Sequence, residues 1–295
     1  MDNAKQIGRE EGILRIAIQT KGRLNEDSTA LLLQSGVSVG DSSRKFLSRS
    51  ETFPMEILYL RDDDIPGAVY SGAADIGIVG YNEVLEKGYD VEILEKLGFG
   101  GCRLSIAVPN GVEYDSPASL EGKRIATSYP KILSDFLAKN GVNAGIETIA
   151  GSVEVAPAIG MAEAIFDIVS SGGTLKKNGL KEVDKVVESE AVLICGKSLS
   201  EDKMAALAQL RFRFKSVKES RGKKYLLMNI PAESLDKAIE IVPAMRSPTV
   251  LPLAQSGWYS LHSVVDSDVL WEKIESLKEI GAEGILVLGV EKLVL

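Results

Sequence analysis

The amino-acid sequence predicts an α/β protein with two lobes built on largely parallel sheets, followed by a smaller C-terminal domain. Three observations carry this. Short apolar runs alternate with helical stretches from Leu14 onward, the rhythm of parallel strands joined by helical crossovers. The rhythm restarts near Leu104, and after Lys224 it changes to the order β-α-β-β-α-β. The chain has 295 residues, 45% of them apolar, enough material for roughly two or three cores.

In the first lobe, Leu14–Ile18 reads as a buried strand and Thr20–Arg23 as a loop. Asn25 or Ser28 then caps a helix that ends near Gly36. Glu56–Leu60 is the next strand. Arg61-Asp62-Asp63-Asp64-Ile65-Pro66 places acids where a helix N-terminus favours them, and a short helix runs from Ile65 to Ser71. Ile76–Val79 is a strand, and Gly80-Tyr81-Asn82 turns into a helix ending at Gly88.

In the second lobe, Leu104–Val108 and Lys123–Thr127 are strands. Ser128 caps a helix with Pro130 in its first turn and Asn140-Gly141 at its end. Gly72-Ala-Ala-Asp75 precedes the strand Ile76–Val79, as Gly160-Met-Ala-Glu163 precedes Ala164–Val169. This parallel predicts two similar lobes with a ligand cleft between them. The plainer reading, chance recurrence of helix–glycine–strand punctuation, stays open. Lys185–Ser189 and Ala191–Cys195 are strands expected to return to the first lobe, followed by a long helix from Ser200 to Ser220.

Arg221–Lys224 reads as a polar linker. Tyr225–Ile230, Thr249–Leu253, Trp258–Val265 and Gly284–Leu288 are strands, and Ala232–Ile241 is a helix. Val269, Leu270, Ile274, Leu277 and Ile280 stripe a second helix, which Asp266 or Ser267 caps and Gly281 ends. This order is ferredoxin-like.

A formal net charge of −8 argues against a broad nucleic-acid or anionic-membrane surface. It leaves room for a small phosphate ligand held by backbone N–H groups and a few cations. Cys102 and Cys195 read as free thiols in a reducing compartment. The single histidine, His262, lacks the spacing for a catalytic triad or a zinc site. Met1–Gly12 is polar and lacks the apolar core of a signal peptide, and no apolar run approaches the roughly 18–20 residues of a membrane span. A cytoplasmic protein is expected.

The segment Glu154–Leu175 is the richest in chemistry. A buried strand delivers Asp167, and Ser170-Ser171-Gly172-Gly173-Thr174 follows at the start of a helical turn. Small residues let backbone N–H groups close around a phosphate, and the hydroxyls add donors. Asp167 is placed to accept hydrogen bonds from ribose hydroxyls. Without further context a Gly-Gly loop after a strand is an ordinary turn.

Several motifs in order give the segment its context: Gln19–Leu24, Arg61–Gly67, Asp75–Gly80, Phe99–Ser105, Gly122–Pro130, Glu154–Leu180, Ser247–Leu253 and Gly281–Leu288. Together they resemble the long form of the ATP phosphoribosyltransferase family over nearly the whole chain after Leu14. The resemblance implies two catalytic lobes of the periplasmic-binding-protein type (type II) and a C-terminal ACT-like regulatory domain. It implies domain bounds of 1–103 plus 181–220, 104–180 and 221–295. It implies transfer of the phosphoribosyl group of phosphoribosyl pyrophosphate (PRPP) to N1 of ATP, opening histidine biosynthesis.

The resemblance also implies Mg²⁺ carried by the substrates without dedicated protein ligands, inhibition by histidine, and a homo-oligomer running from dimer to hexamer. By the same resemblance, Asp167 and Ser170–Thr174 hold PRPP, with Glu154 near the cleft. Lys21, Arg61 and Asn82 line the nucleotide and pyrophosphate side, with Arg23 a looser candidate. Lys21, Arg61, Glu154 and Asp167 form the expected catalytic set, and Asn229 and Thr249 are candidates for the histidine pocket. The chain departs from the common pattern at Glu163 and at Ser171-Gly172-Gly173, keeping charge and small size.

Tyr129 reads as a packing residue, Asp75 as structural, and Lys21 and Arg61 also fit plain surface roles. A non-catalytic two-lobed solute-binding or amino-acid-sensing protein is the alternative from a different class.

Overall fold

A computed structural model describes residues 12–40, 46–242 and 245–295, so most of the polar stretch Met1–Gly12 lies outside the described residues. The chain divides into two compact units, one up to Ala208 and one from Gln209 to Leu295.

In the first unit, β1 (Leu14–Gln19) leads into α1 (Arg23–Gln34). It is followed by β2 (Leu47–Arg49), β3 (Met55–Leu60), α2 (Ile65–Tyr70), β4 (Ile76–Gly80), α3 (Tyr81–Lys87) and β5 (Glu92–Lys96). The chain crosses to a second sheet with β6 (Cys102–Pro109). It continues through β7 (Arg124–Thr127), α4 (Pro130–Asn140), β8 (Gly145–Thr148), β9 (Ala164–Val169), α5 (Gly173–Lys177) and β10 (Leu180–Ser189). It returns with β11 (Ala191–Cys195) and enters α6 (Glu201–Ser220).

The two sheets share one plan. Lobe I has the order β2-β3-β1-β4-β11-β5 and lobe II the order β10-β6-β9-β7-β8. In each, the lobe's first parallel strand sits between its second and third: β1 pairs in parallel with β3 and β4, and β7 with β8 and β9. In each, one antiparallel strand lies between the third strand and an edge strand. That strand is β11 in lobe I and β6 in lobe II. The internal similarity expected from the sequence is therefore real, because β4 and β9 hold the same place.

The acids before those strands do the same work. Asp75 Oδ2 accepts from the Arg15 backbone N–H at 2.8 Å, and Asp75 N–H donates to the Arg15 carbonyl at 2.8 Å. In lobe II, Glu163 Oε2 accepts from the Arg124 N–H at 2.8 Å, and Glu163 N–H donates to the Arg124 carbonyl at 2.9 Å. Each acid clamps the entry to its lobe's first strand against the third. The charges are balanced differently: Lys203 of α6 meets the buried Asp75 carboxylate at 2.9 Å, whereas Glu163 pairs with the guanidinium of Arg124 at 2.6 Å in an exposed place.

Both faces of the lobe II sheet are covered. Leu104, Ile106, Ile125 and Phe166 pack on Leu133 and Leu137 of α4, while Ala107, Ala126 and Ile165 pack on Val153, Ala156 and Leu175. In lobe I, Ala17, Val79 and Ile194 pack under Ile65 and Val69 of α2. Gly77 permits that approach, since a Cβ there would lie 2.7 Å from the Ile65 side chain.

Four local expectations are corrected. α1 starts at Arg23, ahead of both proposed caps, so Asn25 Nδ2 instead donates to the Gln19 carbonyl and Ser28 Oγ to the Leu24 carbonyl. Ser128 does not cap α4; its hydroxyl donates to the Ile149 carbonyl at 2.6 Å. Lys185–Ser189 does not return to the first lobe, because β10 stays paired with β6 as far as Ser189↔Cys102, and the crossing falls at Glu190. Arg221–Lys224 is a tight turn at Gly222 (φ 69°) into a strand that starts at Lys223, so it is no linker. β2, β5 and β8 escaped the sequence reading because they are short or polar, as in Glu92-Ile-Leu-Glu-Lys96.

The second unit is ferredoxin-like. Its elements are β12 (Lys223–Pro231), α7 (Leu235–Ile241), β13 (Thr249–Pro252), β14 (Trp258–Asp266), α8 (Leu270–Glu279) and β15 (Glu283–Gly289), with the sheet order β13-β14-β12-β15. Leu226, Met228, Ile230 and Leu261 face Ala238 and Leu277 of the helices. The opposite face carries Leu251, Leu286 and Leu288, each about half exposed. Among the described residues, no helix is long and apolar enough to cross a membrane.

Burial decides how much each acid clamp contributes. Removing one partner of a buried ion pair leaves the other charge uncompensated, so Asp75→Ala should cost about 3 kcal/mol of unfolding free energy in a urea titration. Glu163→Ala, whose pair faces water, should cost less. The reverse ranking would refute this account of the clamps.

Candidate active site between the two lobes

The loops after the parallel strands build the site. Gln19 and Leu60 are register partners at the ends of β1 and β3, so the loops carrying Lys21, Arg23 and Arg61 lie side by side. All three side chains reach solvent. Arg23 lies 4.0 Å from Asp27, and Arg61 Nε donates to Asp63 at 3.2 Å. Lobe II supplies Asp167 near the end of β9, and then Ser170–Thr174 running into α5. Gly172 has φ 75°, a conformation that a glycine adopts without penalty. Glu154 sits in a 3-10 turn, Val153–Val155, whose charge reaches Asp167.

Beneath these loops the lobes meet in a buried polar network. Asn82, expected on the nucleotide side, is buried, and its amide is committed to internal partners. Its Oδ1 accepts from Ser189 Oγ at 2.8 Å, and its Nδ2 donates to Glu83 at 3.0 Å and contacts the Tyr129 hydroxyl at 3.4 Å. Tyr129 packs its ring in the lobe II core, as expected. Its hydroxyl adds what the sequence did not show, a polar contact across the lobe boundary. A tyrosine beside a helix start reads as packing, and only its placement opposite α3 reveals the second role.

Acids dominate this floor. Burial raises Glu83 to about 7, assisted by the nearby Asp62 charge. Burial and Asp63 raise Asp62 to about 6, and Asp62 Oδ1 has no hydrogen-bond partner among the described residues. Burial raises Asp167 to about 6, with Glu154 adding repulsion while the Ile168 N–H works against both. The Tyr129 phenol is pushed up by burial and by Glu83, Asp167 and Asp62. The Cys102 thiol is pushed up mainly by burial. Such clustering of shifted carboxyls in a cleft is characteristic of functional sites.

Arg103 is a further residue that sequence reasoning left without a role. It forks onto the Glu182 carboxylate, which also accepts from Ser105 Oγ at 2.7 Å, and its remaining nitrogen donates to the Ser170 carbonyl at 3.0 Å. It therefore fixes the first residue of the phosphate-type loop. Around the crossing, Tyr81, Lys96, Arg103, Ser170, Lys185 and Glu188 help line a cavity of about 510 Å³.

In the second unit, Thr249 lines a cavity of about 500 Å³ with Tyr225, Arg246, Ser247 and His262. Asn229 lies further along the same sheet face, with Leu227 and Leu251 beside it, where β12 pairs with Ser260 of β14. The His262 ring is held by the Tyr225 hydroxyl at 2.8 Å and Ser260 Oγ at 2.9 Å.

Comparison with known proteins gives one consistent likeness. A family model described as ATP phosphoribosyltransferase matches residues 61–216, and one for the HisG C-terminal domain matches residues 220–292. The chain is 53% identical to an ATP phosphoribosyltransferase of Phocaeicola vulgatus and 54% identical to one of Bacteroides thetaiotaomicron. Each match covers 96% of this chain and all of the relative. The fold is similar to the ATP phosphoribosyl transferase (HisG:HisZ) complex from Thermotoga maritima. That match has a TM-score of 0.60 and 27% identity, covering 69% of this chain and 96% of that one.

Stability should follow the protonation of Glu83. A carboxyl whose folded pKa is raised binds its proton more tightly when folded, so its contribution is full below pH 4.5 and is lost as pH rises through about 7. Glu83→Gln should therefore be more stable than the parent above pH 7, by on the order of 3 kcal/mol, and should lose that advantage near pH 4.5. Urea titrations across this range measure it, and equal stability at pH 8 would contradict the assignment.

Proposed function

The chain belongs to the ATP phosphoribosyltransferase family, and from that membership we propose how its residues divide the work. The family reaction is a pentosyl transfer in histidine biosynthesis: N1 of the adenine of ATP attacks C1 of PRPP, and pyrophosphate leaves. The attacking nitrogen carries an unshared pair, so no protein nucleophile is needed. Catalysis then consists of holding two polyanions in line and stabilising the departing charge.

In this reading, PRPP binds on lobe II. The Ser170–Thr174 backbone and hydroxyls take the 5-phosphate, and Asp167 accepts from the ribose hydroxyls. The observation that carries the assignment is Asp167 itself. It sits half-buried near the end of β9 with its carboxyl raised to about 6, three residues before Ser170, whose carbonyl Arg103 holds. Ribose hydroxyl donors would favour its charged form. Lys21 and Arg61, exposed at neighbouring strand ends of lobe I, face the pyrophosphate and nucleotide phosphates, with Arg23 beside them. Glu154 orients the ribose side with Asp167.

The reaction uses a metal ion, and we assign Mg²⁺ carried by the substrate phosphates. Its charge would relieve the repulsion between Asp167 and Glu154 and would shield the incoming phosphates from the acidic floor. The three-part division implied by the sequence is kept but its bounds move: lobe II runs from Cys102 to Ser189 to follow the sheet, and residues 181–189 leave lobe I.

Histidine is assigned as an inhibitor acting on the second unit, where Thr249 lines a largely apolar cavity that also carries Arg246, Ser247 and His262; Asn229 is a weaker candidate. The half-exposed Leu251, Leu286 and Leu288, at the two edges of one sheet face, support a homo-oligomer, since exposed apolar surface marks association sites. A cytoplasmic location fits the biosynthetic role.

Ultraviolet absorbance of the product, followed with ATP, PRPP, Mg²⁺ and pyrophosphatase, tests the whole reading. Asp167→Ala should lower kcat/KM for PRPP at least ~100-fold in a protein that still folds. Near-parental activity would remove Asp167 from the site. Turnover that histidine leaves untouched would remove the regulatory assignment and keep the enzyme.

A further inference from the structure

Lobe II's helix α4 has an unusual end. Pro130 at its start has no N–H, and the Leu133 N–H bonds to the Tyr129 carbonyl at 3.1 Å. That leaves Lys131 and Ile132 as the helix's orphan donors. Neither is satisfied from lobe II. Lys131 N–H donates to Glu86 Oε1 and Ile132 N–H to Glu86 Oε2, both at 3.0 Å. Glu86 belongs to α3 of lobe I, so one lobe's carboxylate caps the other lobe's helix.

The contact is part of a designed-looking face. Asn82, Leu85 and Glu86 follow the i, i+3, i+4 spacing that puts side chains on one side of a helix. Asn82 meets the Tyr129 hydroxyl, Leu85 packs against the lobe II core, and Glu86 takes the helix end. Two charge-assisted bonds at the positive end of a helix dipole form a directional contact, unlike an apolar one that can slide.

The equivalent helix of lobe I, α1, follows the equivalent strand, and its N-cap Gly22 offers no side chain. Lys21 and Arg23 flank that end. The two matching helix ends thus serve different purposes, one joined to the opposite lobe and one left toward the site.

We propose that Glu86 is a positioning residue for phosphoribosyl transfer. By capping α4 across the boundary it fixes the separation between the lobe II wall (Asp167, Ser170–Thr174) and the lobe I wall (Lys21, Arg61), and with it the distance between the reacting atoms. The inference rests on the reading given under Proposed function. A misplacement of reactants by about 1 Å costs up to ~100-fold in rate, so a cap that sets lobe spacing acts on kcat more than on the binding of either substrate to its own lobe.

The test compares the full-length parent with Glu86→Ala and Glu86→Gln. Amide hydrogen exchange at Lys131 and Ile132, steady-state kcat, and calorimetric binding of PRPP alone are measured on each. In Glu86→Ala, exchange at both amides should rise at least ~10-fold and kcat should fall by ~10-fold or more, while PRPP affinity changes less than ~2-fold. Glu86→Gln keeps one acceptor oxygen and should fall between the two, which keeps the test valid if the alanine variant folds poorly. A folded Glu86→Ala with parental kcat overturns the positioning role, as does fast exchange at both amides in the parent. If the parent itself transfers no phosphoribosyl group, the reaction assignment fails first, and the positioning role falls with it.

Discussion

Everything at the site depends on the double crossing between the lobes. The chain leaves lobe I at Leu97–Cys102 and returns at Ser189–Ala191, and the two passages are hydrogen-bonded to each other. Leu97 N–H donates to the Ala191 carbonyl at 2.9 Å, and Ala191 N–H donates to the Phe99 carbonyl at 2.9 Å. Cys102 and Ser189 are register partners just beyond. Glu190 tightens the return, with its carboxylate meeting the Gly98 N–H at 3.1 Å and Lys96 at 3.1 Å. Two hydrogen-bonded passages resist shear between the lobes while leaving them free to bend about the crossing, and that freedom is what the proposed Glu86 cap restricts. The antiparallel strand in each sheet is the direct product of this arrangement. β6 is the first strand after crossing, β11 is the first after returning, and each lies next to its lobe's third parallel strand.

The cleft that results carries the wrong charge for its ligands at first sight. Asp62, Glu83, Glu154 and Asp167 gather where polyanions are expected, while Lys21, Arg23 and Arg61 stand outside in water. Burial partly resolves this. Carboxyls held near 6 or 7 carry less than full charge at neutral pH, so the floor repels phosphate less than four ionised acids would. A divalent cation arriving with the substrates would reverse the balance, drawing the same groups back to their charged forms.

Much of the fold was legible because hydrophobic periodicity and glycine punctuation decide strand and helix identity locally. The repeat of Gly72–Asp75 in Gly160–Glu163 exposed the duplication, and it was readable because the acid clamp needs a side chain at a fixed offset before the strand. The partner of the return strand was not legible. Lys185–Ser189 alternates like any half-buried strand, and nothing local says which sheet it joins. The phosphate-type loop and Asp167 were visible because their chemistry is contiguous in sequence. Glu83, Glu86, Tyr129, Ser189 and Arg103 were not, because each acts on a residue far away in the chain and resembles ordinary packing or surface charge in isolation.

The position of β11 has a consequence for biogenesis. Lobe II occupies one uninterrupted stretch, Cys102–Ser189, and its strands all find partners within it. Lobe I does not: β5 reaches the sheet only through β11, which is synthesised after lobe II is complete, and the buried Asp75 waits longer still for Lys203. On a ribosome delivering residues from the N-terminus, domains fold as their segments emerge. Ribosome-bound chains halted just after lobe II emerges should therefore protect β7 and β9 from hydrogen exchange before β4. Of the two lobes, the one translated first would then be the one that settles last.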